Sequence, residues 1–278
     1  MKTIVLATDF SKNSSHAGDF ALQIAARRGD ARRGDARLIL LHVYRSWAGH
    51  TYAPGTMIAI PEFEKEQAER KLSDLMSQLQ NAAKGRVDIS ILAAEGLTKD
   101  VINEVAADQK ADLLIMGTAG SHSDGVRYFG SLATDMIPDI RVPMLLVPPK
   151  ATFTSFKNIA LAVDLTEAID AVALDNAIRF ANLFNACLNV VCVTKAPEQP
   201  TIQRAAERIR DLLKHQPHTF SIIQGDNLPL LLMNFAEENR ADLIMMMPKP
   251  HSWWHRLLTE GNTQQVARQS DIPVLAVI

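Results

Sequence analysis

One strand-forming phrase occurs twice in the sequence. KTIVLATDF begins at Lys2 and KNIALAVDL at Lys157, 155 positions later, with five of nine residues identical and Asp9 matched by Asp164. Near the end of each copy, ADLLIMG from Ala111 meets ADLIMMM from Ala241 at an offset of 130, with four of seven identical. At the same offset VPMLLV (Val142 to Val147) meets IPVLAV (Ile272 to Val277). Short Val/Ile/Leu runs resemble one another wherever parallel strands occur. Here order and spacing agree as well as composition, which marks an internal repeat. Two domains, over 1–149 and 157–278, therefore account for the 278 residues, the second copy being shorter by 25 in its middle. That length suits two ordinary domains.

Each copy alternates strand with helix. In the first, strands are expected at Thr3 to Thr8, Leu38 to Tyr44, Val87 to Ala93, Leu113 to Gly117 and Met144 to Val147. Helical stripes lie between them: Ala17, Phe20, Ala21, Ile24 and Ala25; Leu72, Leu75, Met76 and Leu79; Val101, Ile102, Val105 and Ala106; Leu132, Ala133, Met136 and Ile137. The second copy repeats the scheme with Ala173, Ala177, Phe180, Ala181 and Phe184, then Ile202, Ala205, Ile209 and Leu212. Strands that read as unbroken apolar runs between amphipathic helices predict an α/β fold, with two tandem doubly wound parallel sheets covered on both faces and right-handed crossovers. Pro148, Pro149 and the polar stretch to Lys157 read as the linker. An apolar edge strand invites a partner, so the two copies are expected to pair through Met144 to Val147 and Val274 to Val277. Homodimerisation is compatible with this.

With 47% hydrophobic and 22% charged residues, the balance is globular rather than disordered. Lys plus Arg is 29 and Asp plus Glu 31, a net charge of -2 that argues against a nucleic-acid binder working by global electrostatics. No apolar run approaches the roughly 18 residues that would cross a bilayer. Asp9 comes too early for a signal-peptide core. Cys187 and Cys192 are five apart in a strand-like run, on opposite faces, and are not expected to pair. These features predict a soluble, reduced, cytoplasmic protein. RRGDA occurs twice in tandem between Arg27 and Arg37 and reads as a small duplication lengthening a turn, with an Arg-rich binding element as the alternative. Ser46 to Pro61, with Gly49, Pro54 and Gly55, reads as a flexible loop able to cover a site.

Gly117 to Ser131, GTAGSHSDGVRYFGS, is the segment richest in chemistry. Gly117 closes a buried strand, Gly120 lies three on, and nine residues later Gly130 and Ser131 precede the Leu132 helix. In a doubly wound sheet, ligands bind beyond the carboxyl ends of the strands, where strand order reverses. Phosphate seeks exposed backbone N–H groups and a helix N-terminus. Glycine permits close approach, and Ser131 adds a hydroxyl. The arrangement suits a polyphosphate cradle; a Gly-rich turn that merely closes a strand–helix junction is the structural alternative.

At these residues the sequence resembles the universal stress protein family, in a tandem form covering nearly its whole length. Gly117, Gly120, Gly130 and Ser131 match the G-x2-G-x9-G-(S/T) pattern of the nucleotide-binding members without a gap. Asp9 in LATDFS matches the Asp ending their first strand, and Val43 in LLHVY the hydrophobic residue whose backbone meets adenine. The resemblance implies ATP in the first domain, with Asp9 and Val43 addressing the adenosine and Gly117 the ribose. Gly120, Gly130, Ser131 and the Leu132 backbone would address the phosphates, with Mg2+ or Mn2+ held by those phosphates. It also implies a five-stranded sheet of order 3-2-1-4-5 and unidentified protein partners. Asp9 keeps a second reading, since an Asp after a strand caps the next turn.

The second copy departs from the pattern. At the offset of 130, Met247, Pro250, Glu260 and Gly261 stand where the first has Gly117, Gly120, Gly130 and Ser131. Pro250 offers no N–H and Glu260 would repel phosphate, so nucleotide is expected in the first domain only. The same stretch holds His251 and His255, a spacing that places two metal-capable groups on one helix face without an evident third ligand, and Trp253 and Trp254, suited to filling space or anchoring a partner. No P-loop or nucleophile elbow occurs. A regulatory ATP binder is therefore the first expectation, with a slow ATP hydrolase or a nucleotide-free adaptor as rivals.

Overall fold

The computed structural model describes residues 2–27, 36–45, 60–118, 131–153, 155–166, 168–248 and 271–278. The protein divides into two compact units, residues 1–122 and 123–278.

In the first unit, β1 (Thr3–Ala7), β2 (Arg37–Tyr44), β3 (Asp88–Glu95) and β4 (Leu113–Gly117) alternate with α1 (Lys12–Arg27), α2 (Ile60–Ala83) and α3 (Thr98–Asp108). The strands are parallel and lie in the order β3-β2-β1-β4. Val5, Leu6, Leu38, Leu40, Leu41 and Leu113 to Ile115 have no exposed surface, as expected for a sheet covered on both sides. The backbone steps from β1 to β2 to β3 in one direction and then crosses back to β4. Right-handed crossovers therefore place α1 and α2 on one face and α3 on the other. Gly18 of α1 fits this: a Cβ there would meet Leu6 of β1 and Leu79 of α2.

The second unit opens with α4 (Ser131–Met136), a 3-10 turn at Ile137–Asp139 and β5 (Met144–Val147). The second repeat follows as β6 (Asn158–Ala162), α5 (Ala171–Phe184), β7 (Cys187–Thr194), α6 (Pro200–Leu212), β8 (His218–Gln224), α7 (Leu228–Glu238), β9 (Leu243–Met246) and β10 (Val274–Ala276). Its strands run β10-β9-β6-β7-β8, the 3-2-1-4-5 order read from the other edge. β5 and β10, the last strands of the two repeats, pair antiparallel with Leu145 opposite Leu275. Both edge strands are thereby covered.

Local chemistry explains the repeated boundaries. Asp170 caps α5 by accepting from the N–H groups of Val172 and Ala173, and Asn185 closes it in the left-handed conformation, φ 50°. Asn227 caps α7 through the N–H of Leu230. The aspartates of the two ADL phrases do the same work in each repeat. Asp112 accepts from the N–H groups of Lys2 and Thr3, and Asp242 from those of Lys157 and Asn158, so each clamps the start of the first strand. An aspartate here satisfies two donors that no ladder reaches.

The segment expected to be a polar linker is packed. Ala151 and Phe156 are buried. Phe156 lies 4.9 Å from Phe184 and 5.8 Å from Phe180, ring to ring, and Phe153 lies 6.4 Å from Phe184. The loop expected to end at Pro61 ends sooner, because α2 starts at Ile60; its remainder lies outside the described residues. So does the RRGDA duplication apart from its end residues. Cys187 and Cys192 are both free thiols. Among the described residues no helix is long and apolar enough to cross a membrane.

Candidate functional site

The reversal of strand order in the first unit falls between β1 and β4, and a doubly wound sheet opens its ligand crevice there, beyond the carboxyl ends. Three expected site residues gather at that edge of the sheet: Asp9 two positions past β1, Val43 next to last in β2, and Gly117 last in β4. Gly120 and Gly130 lie outside the described residues. Ser131 and half-buried Leu132 open α4 within the second unit.

Val43 is placed by strand register. β1 and β2 pair up to Ala7 with Leu41, and the Thr8 N–H donates to the Leu41 carbonyl at 2.9 Å. In a parallel ladder alternate residues address alternate neighbours. Leu41 addresses β1, so Val43 also turns its N–H and C=O to that side, past the point where β1 has ended. On the other side β2 continues, the Tyr44 carbonyl accepting from the Gly96 N–H at 3.1 Å. The end of β2 thus presents a main-chain donor and acceptor side by side on the β1 side.

Asp9 is exposed and its Oδ1 accepts from the Ser11 N–H at 3.0 Å. Asp164 does the same for Thr166 at 2.9 Å. The turn-capping role is therefore present in both repeats.

Gly117 is required by packing. A Cβ there would fall 2.7 Å from Asn13 Nδ2 and 3.0 Å from both atoms of the Asn13 carbonyl group. Only glycine lets the first turn of α1 close against the end of β4. That turn is capped by Ser11, whose hydroxyl accepts from the Ser14 N–H at 3.1 Å.

Buried polar residues concentrate here. Thr8, Asn13, Ser14 and Thr118 are four of the seven buried polar residues among those described. Thr8 Oγ1 donates to Ser14 Oγ at 3.0 Å and accepts from the Phe10 N–H at 3.1 Å. Thr118 has no exposed surface, and its Oγ1 has no hydrogen-bond partner among the described residues. None of these four belongs to the glycine motif; the sequence signal for Thr8 and Thr118 is a hydroxyl standing directly after an apolar strand run.

His42 is also outside the motif, although a histidine inside LLHVY is conspicuous. Its Nδ1 lies 2.7 Å from the Thr8 carbonyl oxygen. A carbonyl only accepts, so Nδ1 carries the hydrogen. The ring sits 4.4 Å from that of Phe10, and Lys71 Nζ stands 5.5 Å from the Phe10 ring centre. Burial pushes the His42 pKa below its ordinary 6.5, and Lys71 pushes it the same way, against the opposing pull of the Thr8 carbonyl and Asp9. The unfolded protein then takes up the proton first, so stability present above pH 6.5 is lost as pH falls through the folded pKa. Melting temperature should accordingly fall more for the wild type than for His42→Asn between about pH 7 and about pH 5. Parallel falls would rule His42 out as the responsible group.

The profile of the Universal stress protein family matches residues 1–148 and 155–277. The chain belongs to the universal stress protein family. A universal stress protein of Thermus aquaticus is 29% identical over 146 residues, 52% of this chain and 98% of that protein. One from Methanocaldococcus jannaschii is 30% identical over 148 residues, 52% of this chain and 81% of the relative. The crystal structure of a universal stress protein from Archaeoglobus fulgidus matches with a TM-score of 0.66 at 18% identity, covering 99% of this chain and 95% of that one. That likeness speaks for the fold.

The second universal stress protein repeat is built differently at the same edge. Val163 replaces Thr8, and Met247 and Pro248 replace Gly117 and Thr118. Aligned on Ala21 with Ala177 and Ala25 with Ala181, α5 starts three residues later than α1. The turn that Gly117 admits in the first repeat is therefore missing where Met247 stands. The Val193 edge persists, with β7 running on beside β8 after the Val163 N–H has met the Val191 carbonyl. Pro250, His251, His255, the two tryptophans, Glu260 and Gly261 lie outside the described residues. Among the described residues no group of three or more His, Cys, Asp or Glu is arranged to hold a metal ion.

Proposed function

We propose that this universal stress protein is an ATP-binding regulator that takes one nucleotide per chain, in the first repeat. The observation that carries the reading is the contrast between equivalent sheet edges. The first gathers Thr8, Asn13, Ser14 and Thr118 around Gly117, while the second puts Val163, Met247 and Pro248 in the corresponding places. Burying a hydroxyl without a hydrogen-bond partner is costly, and Thr118 Oγ1 has none among the described residues. A polar ligand at the strand-order reversal gives it a use.

In this reading the Val43 main chain takes the adenine edge and the Asp9 turn lies beside the ribose. Gly120, Gly130, Ser131 and the Leu132 N–H serve the phosphates. A divalent ion, Mg2+ or Mn2+, would enter through the phosphate oxygens. Occupancy would alter the surface offered to protein partners. Titration calorimetry with ATP is the test. One site per chain is expected, abolished by Gly120→Arg, a bulky charged substitution within the glycine motif. Two equivalent sites per chain, or none, would overturn the reading, as would unchanged binding by the variant.

A further inference from the structure

The geometry points to His42 as a positioning residue that holds the Thr8 carbonyl and the Phe10 corner beside the base-reading edge of Val43; this rests on the nucleotide reading above. Thr8 stands opposite His42, because Ala7 pairs with Leu41 and the Thr8 N–H donates to the Leu41 carbonyl. In a parallel ladder the next bond would run from the Val43 N–H to the Thr8 carbonyl. That bond would use the donor the base needs. β1 instead ends at Ala7, and the Thr8 carbonyl accepts from His42 Nδ1 at 2.7 Å. The imidazole stands in for the Val43 amide.

The same side chain holds the corner that follows. Phe10 adopts φ 62°, a left-handed conformation that a bulky residue takes only under constraint. Its ring is held against His42 at 4.4 Å, and its N–H donates to Thr8 Oγ1 at 3.1 Å. Asp9 lies between Thr8 and Phe10, so its carboxylate is aimed by a corner fixed at both ends. In the second repeat Cys192 occupies the equivalent place, and the Asp164 turn is held by the Thr166 amide and hydroxyl.

His42→Leu keeps bulk and removes the donor. His42→Asn returns an N–H donor at the position of Nδ1, because both atoms are attached to Cγ. ATP and adenosine affinities are measured for wild type and both variants, with melting temperatures alongside. His42→Leu is expected to weaken ATP and adenosine alike, each by about tenfold, and His42→Asn to stay within about threefold of wild type. A merely structural role would not give a shared loss on both ligands together with rescue by asparagine. Should His42→Leu not fold, His42→Phe, which keeps a ring against Phe10 but has no N–H donor, replaces it with the same expectation. Wild-type affinity in the donor-less variant, or loss confined to ATP, overturns the assignment and leaves the nucleotide reading standing. Failure of the wild type to bind either ligand overturns both.

Discussion

Phe184→Ala is expected to lower the free energy of unfolding by about 3–5 kcal/mol, the usual cost of emptying a buried phenylalanine site. Phe184 is buried and meets Phe180 at 5.1 Å, Phe156 at 4.9 Å and Phe153 at 6.4 Å, ring to ring. Its removal leaves a cavity at the centre of this group that the rigid end of α5 cannot close. The segment entering the second repeat loses its anchorage at the same time, because Phe153 and Phe156 both pack against that ring. Denaturant unfolding followed by circular dichroism measures the change. A loss below about 1 kcal/mol would mean that the cluster is not packed as described.

Gly117→Ala is the second large effect, and it acts on stability and ligand together. The added methyl would lie 3.0 Å from the Asn13 carbonyl carbon and oxygen, backbone atoms with no rotamer to retreat into. Moving α1 to relieve the contact is expected to cost about 1–3 kcal/mol of stability. The movement displaces the turn carrying Asn13 and Ser14, and ATP affinity is expected to drop by about tenfold or more, a loss of about 1.4 kcal/mol. Met247→Gly is the informative counterpart. It removes the obstructing side chain, but the first helical turn that Gly117 admits has no equivalent before Ala171. Calorimetric stoichiometry should therefore remain at one ATP per chain. A second site appearing in Met247→Gly would show that the methionine alone had closed the second repeat.

The sequence was informative where a local rule applies. β4 and β5 begin and end where their apolar runs do, because a buried parallel strand is a run of Val, Ile, Leu and Met bounded by polar or turn-forming residues. β3 starts one residue later than Val87 and runs on to Glu95, since a strand's end is decided by its neighbour's length, which no local rule contains. The linker shows the same limit. Lys150 to Lys157 reads as polar, yet Phe153 and Phe156 find their partners on α5, about thirty residues further along.

The candidate site divides in the same way. Asp9, Val43 and Gly117 stand at or just past the end of a strand, and so at the carboxyl edge of the sheet, while their roles toward a ligand are implied only by the family resemblance. Their functions are not legible separately. Gly117 reads as a ligand-side glycine, and the structure adds that Asn13 occupies the space a β-carbon would need. His42 reads as one polar residue in an apolar strand, and only the pairing of β1 with β2 brings its ring to the Thr8 carbonyl.

By itself the amino-acid order determined that there are two copies of one α/β unit, which strand ends carry polar chemistry, and that the second copy has lost its glycines. Those features are periodic or local, written within a few residues of one another. Tertiary structure decided which main-chain groups are consumed by the ladder and which are left facing outward, and which glycine is demanded by a helix. These are questions of register and close approach between segments far apart in the sequence, and a residue's own neighbours do not encode them.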